Sequence, residues 1–487
     1  MARGSIKKNF ILNVSNQLMN ILAPLITTPY VSRVLGVEGI GRYSYLESIT
    51  SYFVLFAILG TATYAQREIS YVQDNEYERS KVFYSTLILR CMTTAIMLVA
   101  YFFVFHDDVL LKIFAVNILT VAMDITWFFQ GMEDFGKIML KNMVFKVLSI
   151  IYTFLFIRAE EDLLIYAAGM VSLNLLGAIS MWSNIVRYVE KPRLSFIRPF
   201  KDINTILSLF IPTIAIQIYT IFDKTMLGLF TATSYENGCY EQAMKVVRAI
   251  QVIVSAVGTV MAPRIGYYFA RSDSEKVREY MLKSYKFVWF ISIPLSFGII
   301  GISDNMVPWF FGQGYDKDRI LLKILPVLAV IIGMSNVTGI QYLVPTKRQN
   351  ILTKTVVAGA IVNFCLNLLL IPKFYSVGAA VASVVAEMTI SILQFRYVRK
   401  EIDIKSAVLS GTNYAAAGMI MLCVLRFASK SLDPSIKNTL CLIVLGVIAY
   451  VIFLIMLRDK YFLDSMKQLA KKFNNKKNYN FVGDNDK

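Results

Sequence analysis

Glu241, Lys245 and Arg248 stand at i, i+4 and i+7 in the stretch YEQAMKVVRAIQVIVSAVGTVMAPR. That spacing puts all three on one face of a helix. The rest of the stretch is long and apolar enough to cross a membrane, where ionisable groups usually face a cavity or a partner. The segment before it, PTIAIQIYTIFDKTMLG, adds Asp223 and Lys224. Two readings fit. Either the stripe lines a polar path, or Glu241 pairs with Lys245, and Asp223 with a neighbouring cation, as internal struts.

Other apolar segments carry polar groups of the same kind. The cations are Arg42, Arg90, Lys146, Lys224, Lys245 and Arg248; the acids are Glu47, Asp124, Asp223, Glu241 and Glu387. A surplus of cations suits an anion, with Arg making bidentate contacts and Lys acting as a point charge. Asn16, Gln17, Asn20, Gln217 and Tyr219 supply neutral groups of the kind a sugar needs. Arg90 and Lys146 lie on the order of 12 Å inside their helices, a depth from which a lysine can snorkel. Arg42 is close to a helix end and reads as lining or as an anchor. Asp223 reads as a partner for a base or as a coupling-ion group, and Asp124 and Glu387 as structural or proton-carrying. Glu241 is a further coupling or gating candidate.

The elements that must hold these groups are membrane helices. Of 487 residues, 56% are hydrophobic and only 17% charged, against about a quarter charged in soluble domains. About fourteen segments reach the roughly 20 residues a spanning helix needs, so the fold class expected is an all-α, polytopic membrane protein. The net charge of +17 would suggest nucleic acid in a soluble protein; its distribution here argues against that. With the N-terminus inside, the inner loops and tails collect about 34 of the 50 Lys and Arg residues and the outer loops about 7. The expectation is a multi-pass protein of the cytoplasmic membrane with both termini cytoplasmic, its basic loops meeting anionic lipid.

No metal or cofactor is expected. The five cysteines show no CxxC or metal spacing and read as small core residues. His106, the one histidine, reads as solvated. No paired-carboxylate site or glycine-rich phosphate cradle accompanies the helices, so no enzyme is expected. The N-terminal MARGSIKK is a basic flank, not the start of a cleaved signal peptide.

In chain order, the first helix carries Asn13, Asn16, Gln17 and Asn20 on one face, with Pro24 and Pro29 expected to kink its outer half. VLGVEGIG is a tight outer turn. Trp127 to Gly131, with Glu133, form an inner corner that reads as packing. VRYVEKPRLSFIRPFKD, basic and proline-bearing, is the best boundary between two halves. In the longest outer loop, Trp309, Phe310 and Phe311 suit the interfacial belt. The expected division is a six-helix lobe with linker over 1–197, a second over 198–400, accessory helices over 401–458 and a basic tail over 459–487. In that tail Phe462, Leu463, Met466, Leu469, Ala470 and Phe473 suit a helix lying on the inner leaflet. Two repeated halves, each opening on a polar, proline-bearing helix, are common in transporters.

Several motifs together resemble one family: APLITTPYVSRVLGVEGIGRYSY, MDITWFFQGMEDF, PTIAIQIYTIFDKTMLG, VMAPR and NLLLIPKFYSVGAAVASVVAE. The chain resembles, essentially end to end, polysaccharide flippases of the Wzx type, in the multidrug/oligosaccharidyl-lipid/polysaccharide exporter superfamily. The resemblance implies two six-helix lobes with two accessory helices. It implies passage of an undecaprenyl-pyrophosphate-linked oligosaccharide to the outer leaflet for O-antigen or capsule synthesis, the headgroup crossing a cationic lumen while the tail stays in lipid. H⁺ or Na⁺, a polysaccharide polymerase and chain-length proteins are further partners it suggests. A drug/cation antiporter would favour acids in the lumen, yet the first helix has none between Asn9 and Val31. A lipid II flippase would be expected to cluster arginines in its first helices, and a membrane polymerase to carry a larger outer loop.

Overall fold

The computed structural model describes residues 6–464, 466 and 467, and every regular element among them is helical. In chain order the α-helices begin with α1 (Ile6–Ile58), α2 (Thr61–Tyr71), α3 (Glu76–Val104), α4 (Val109–Met123), α5 (Thr126–Gly131) and α6 (Phe135–Phe156). There follow α7 (Leu163–Ser180), α8 (Ile203–Phe230), α9 (Tyr235–Ser255), α10 (Gly258–Ala270), α11 (Ser274–Phe310) and α12 (Asp318–Ile324). The last are α13 (Val327–Thr338), α14 (Gln349–Val398), α15 (Ile404–Leu409), α16 (Thr412–Ser429) and α17 (Ile436–Met456).

Among the described residues, ten helical spans are long and apolar enough to cross a membrane, or eleven when the bent pair at Tyr235–Ala270 counts as one. This is fewer than the fourteen expected. For two of the missing spans the reason is local: α1 and α14 each run through a single non-helical residue, Gly36 (φ 65°) and Tyr375 (φ 54°), and so each joins two expected segments. Gly36 falls in the expected VLGVEGIG turn, where glycine adopts a positive φ without strain. Helix α1 stays helical through Pro24 and Pro29. Large apolar side chains such as Phe103, Leu369 and Phe427 are exposed, as the lipid-facing surface of a multi-pass membrane protein requires.

The chain forms two compact units. One comprises Met1–Val252, Phe310–Leu321 and Thr353–Thr389; the other comprises Ile253–Trp309, Leu322–Leu352 and Ile390–Lys487. In the first, Trp127, Phe128 and Phe129 are buried with Phe83 and Tyr188, so the expected inner corner is a packed core. A second core joins Leu46 and Ala57 of α1 to Tyr101, Phe114 and Ile118. Phe310 and Phe311 are also buried; as belt residues they would face lipid headgroups, and their apolar rings are covered by protein instead. In the second unit, Glu401 binds the Arg348 guanidinium at 2.7 Å and the Tyr342 hydroxyl. Asn305 there receives the Thr439 hydroxyl at 2.6 Å.

Four of the five cysteines, Cys91, Cys365, Cys423 and Cys441, are exposed, and Cys239 alone is buried. They occupy apolar segments, but a membrane helix turns apolar residues outward as well as inward. Phe462 is buried and Met466 exposed; Leu469, Ala470 and Phe473 of the expected tail helix lie outside the described residues.

Candidate functional site

Close helix approaches in the first unit set the geometry. A Cβ on Gly41 would come within 1.8 Å of the Ser234 carbonyl oxygen, and one on Gly238 within 2.1 Å of the Val37 carbonyl oxygen. The second half of α1 and the start of α9 therefore touch backbone to backbone, which needs residues without side chains. On α8, a Cβ at Gly228 would fall 2.0 Å from the Tyr45 ring. Thr225 of α8 meets Ser48 at 3.0 Å and Tyr52 at 3.1 Å, hydroxyl to hydroxyl. These contacts carry Ser44 and Glu47 of α1 and Lys224 of α8 to the charged stripe of α9.

Glu241 is the centre of that cluster. Its carboxylate receives Lys224 Nζ at 2.7 Å and Arg248 in a two-pronged contact, Nη1 at 3.2 Å and Nη2 at 2.9 Å. The Ser44 hydroxyl donates to it at 3.4 Å. Lys224 also faces Glu47 at 3.8 Å. Lys245 makes no hydrogen bond or ion pair among the described residues, yet it lies within electrostatic reach of Glu241, Arg248, Lys224 and Glu47. The expected Glu241–Lys245 strut is replaced by Glu241–Lys224 and Glu241–Arg248. Three cations thus meet two carboxylates. The Glu241 side chain is 8% exposed, whereas that of Arg248 is 45% exposed, so the guanidinium is both paired and open to a ligand.

Asp223, one residue before Lys224, points to a different set of partners. Its carboxylate accepts from Tyr240 at 2.5 Å, Asn363 at 3.1 Å, Asn367 at 2.7 Å and the Ser383 hydroxyl. Among the described residues no cation pairs with it, which corrects the expectation of a basic partner. Four neutral donors can satisfy a carboxylate as well as one cation does, because charge-assisted hydrogen bonds are the strong ones. Beside it the Asn367 carbonyl oxygen is buried with no hydrogen-bond partner among the described residues. Asn363, Asn367, Ser383 and Tyr240 were not foreseen. The signal was present, since Asn363 and Asn367 are polar residues at i and i+4 inside an apolar run.

Of the remaining sequence candidates, Arg90, Asp124, Lys146 and Arg42 have their hydrogen bonds outside this cluster. Buried Arg90 donates to the Asp124 backbone carbonyl at 2.6 Å. Asp124 in turn accepts from the Thr126 amide at 3.0 Å and the Thr126 hydroxyl at 2.5 Å, which caps the break between α4 and α5. Lys146 donates to exposed Asn20 at 3.3 Å. Arg42 binds Asp108 at 2.9 Å with a side chain 54% exposed, a surface pair at the start of α4. Gln217 is exposed, Gln17 half-buried and Glu387 buried. The side chains of Asn16 and Tyr219 lie outside the described residues. His106 is exposed and meets its neighbour Asp107 at 3.2 Å.

The fold defines a class: a multi-pass helical membrane protein. Over 93% of this chain and 99% of the other, it matches a lipid II flippase, MurJ, in an inward closed conformation (TM-score 0.74, 15% identity). It also matches an inward-facing multidrug resistance transporter of the MATE family (TM-score 0.64, 16% identity, 82% and 99% covered). By sequence, residues 6–269 match the family described as polysaccharide biosynthesis protein, and the chain belongs to that family. A putative O-antigen transporter of Escherichia coli is 24% identical over 406 residues, covering 81% of this chain and 97% of the relative. A probable low-salt glycan biosynthesis flippase, Agl15 of Haloferax volcanii, is 23% identical over 450 residues, covering 89% and 90%.

Proposed function

We propose that this protein moves undecaprenyl-pyrophosphate-linked oligosaccharide repeat units from the inner to the outer leaflet of the cytoplasmic membrane, for surface polysaccharide synthesis. The path is cationic and access alternates between the two sides. The observation that carries this reading is the cluster on α1, α8 and α9. Glu241 holds Lys224 and Arg248, while Lys245 has no bonded partner among the described residues and Arg248 stays accessible. A pyrophosphate entering here replaces part of what Glu241 provides. It gains a bidentate arginine and a lysine point charge. The names of the O-antigen and glycan relatives support the substrate class.

Asp223 is the coupling-ion group in this reading, taking Na⁺ or H⁺. Its carboxylate lies beside the unpartnered Asn367 carbonyl oxygen and the Ser383 hydroxyl, an oxygen-rich set that suits a hard cation. Export of organic cations is the rival reading, which the shared MATE-like fold brings forward. It calls for an acid surplus where this cluster has a basic one. Transfer of a fluorescent undecaprenyl-pyrophosphate oligosaccharide in proteoliposomes, run beside an organic-cation export assay, separates the two. Lipid transfer without cation export is expected, and the reverse sinks the proposal.

A further inference from the structure

A second polar site lies away from the charged cluster, in the first unit, where α3 meets the segment leading into α8. A cavity of about 200 Å³ opens there, lined by Lys81, Thr86, Arg198 and Lys201 with Glu78 and Asp202. Its size falls below the roughly 300 Å³ at which drug-sized ligand pockets begin, so the occupant is small. On α3 the lining residues 77, 78, 81, 82, 85, 86 and 89 form one helical stripe.

The charges are unevenly satisfied. Glu78 is taken by Lys81 at 2.8 Å, and Asp202 accepts the Tyr64 hydroxyl at 2.7 Å. The Arg198 and Lys201 side chains have no hydrogen bond or ion pair among the described residues. Thr86, also in the lining, is 2% exposed, and its hydroxyl has no hydrogen-bond partner among the described residues. A buried unpaired hydroxyl costs free energy, which an acceptor brought in by a ligand would offset. The wall is fixed in place: Ser85 donates to the Phe196 carbonyl at 2.7 Å and accepts the Arg198 amide at 3.0 Å. Tyr84 donates to the Glu190 carbonyl at 2.8 Å, and the Glu190 amide to Ser80 at 2.9 Å.

We propose that this cavity binds a phosphate-bearing group, held by Arg198 and Lys201 at the mouth and by the Thr86 hydroxyl inside. The group is either a phospholipid headgroup or a small free phosphate ester. The exposed apolar side chains of α3 run from Met92 to Val104, and the cavity lies beyond their polar end, at headgroup level. Occupancy ties α3 to the first turn of α8, the helix that carries Asp223 and Lys224. The proposal stands independently of the transported substrate.

The test is calorimetric titration of the full-length protein in maltoside micelles with four probes: inorganic phosphate, glycerol 3-phosphate, dihexanoyl phosphatidylglycerol and phosphate-free dihexanoylglycerol. Binding of the soluble phosphates identifies a free ester, and binding of phosphatidylglycerol alone identifies a lipid headgroup. In either case the Arg198→Ala, Lys201→Ala double variant weakens binding at least ten-fold. Thr86→Val, which keeps the shape, weakens it about three-fold. Both variants alter no packed contact named here, and unchanged melting temperatures confirm their folding. No heat from any phosphate probe, equal binding by dihexanoylglycerol, or undiminished binding by the double variant overturns the proposal.

Discussion

Lys224 reaches Glu241 across 2.7 Å, from α8 to α9, while Asp223 beside it in sequence turns to Tyr240, Asn363, Asn367 and Ser383. Successive helix positions point about 100° apart, so one dipeptide serves two sites. Its lysine joins the charged cluster around Glu241, and its aspartate joins the hydroxyl and amide set. In the proposed reading, ion occupancy at Asp223 acts on the disposition of Lys224 through this adjacency.

Among the described residues, removing Glu241 leaves Lys224, Lys245 and Arg248 facing one another with Glu47 to offset them. Truncating one partner of a buried ion pair costs about 3–5 kcal/mol. Glu241→Gln is therefore expected to lower the melting temperature in detergent sharply. Adding Lys224→Met is expected to recover at least about 1 kcal/mol, the non-additivity of residues in contact. Additive losses in the double variant would mean that the 2.7 Å pair is energetically idle.

Asp223→Asn keeps the size of the side chain but replaces a four-donor acceptor with an amide. The expected outcome separates two rates. Gradient-driven accumulation of lipid-linked sugar falls at least ten-fold, because each lost charge-assisted bond weighs about 1.5–3 kcal/mol, while downhill equilibration persists. Equal loss of both would assign Asp223 to folding instead.

The glycine contacts between α1 and α9 make a paired prediction. A Cβ at Gly238 would meet the Val37 carbonyl oxygen at 2.1 Å, whereas one at Gly39 has nothing nearer than the Leu35 Cβ at 3.4 Å. Gly238→Ala is expected to abolish recovery of monodisperse protein, and Gly39→Ala to leave it intact. Size-exclusion profiles decide, and similar profiles for both would contradict the close approach.

Much of the fold was legible because hydrocarbon is an unforgiving solvent. Long apolar runs, the Gly36 turn and the stripe at Glu241, Lys245 and Arg248 all announce themselves in sequence. The partner of Glu241 on α8, Lys224, did not. Spacing along α9 shows that Lys245 shares its face, but Lys224 comes from another helix, and one-dimensional periodicity carries no information about that approach. Gly41, Gly228 and Gly238 set it, and an isolated glycine in an apolar run reads the same whether it packs or is simply tolerated. Phe310 and Phe311 misled for a related reason, since aromatic residues suit a membrane interface and a protein core equally well.

In the second unit, outside the spanning segments, Glu401 gives a pH test. The Arg348 guanidinium at 2.7 Å, helped by the Tyr342 hydroxyl, holds its carboxyl below the ordinary value of 4.5 against the opposing pull of partial burial. A depressed folded-state value means the stabilisation is complete above pH 4.5 and is lost as pH falls through the lower folded value. With 43% of the side chain exposed, the effect is under about 1 kcal/mol. The melting temperature of wild type is expected to exceed that of Glu401→Gln by a constant margin from neutral pH to about pH 5, then to converge on it in acid. A margin that widens in acid would contradict the assignment.

The central claim is that the surplus cations of α9 carry the pyrophosphate. It is tested most directly by transfer of a fluorescent undecaprenyl-pyrophosphate oligosaccharide across proteoliposomes, comparing wild type with the Lys245→Ala, Arg248→Ala double variant at equal insertion. Transfer by wild type and at least a ten-fold loss in the variant is the predicted result. Equal transfer by both would make the α9 stripe scaffolding and contradict the account.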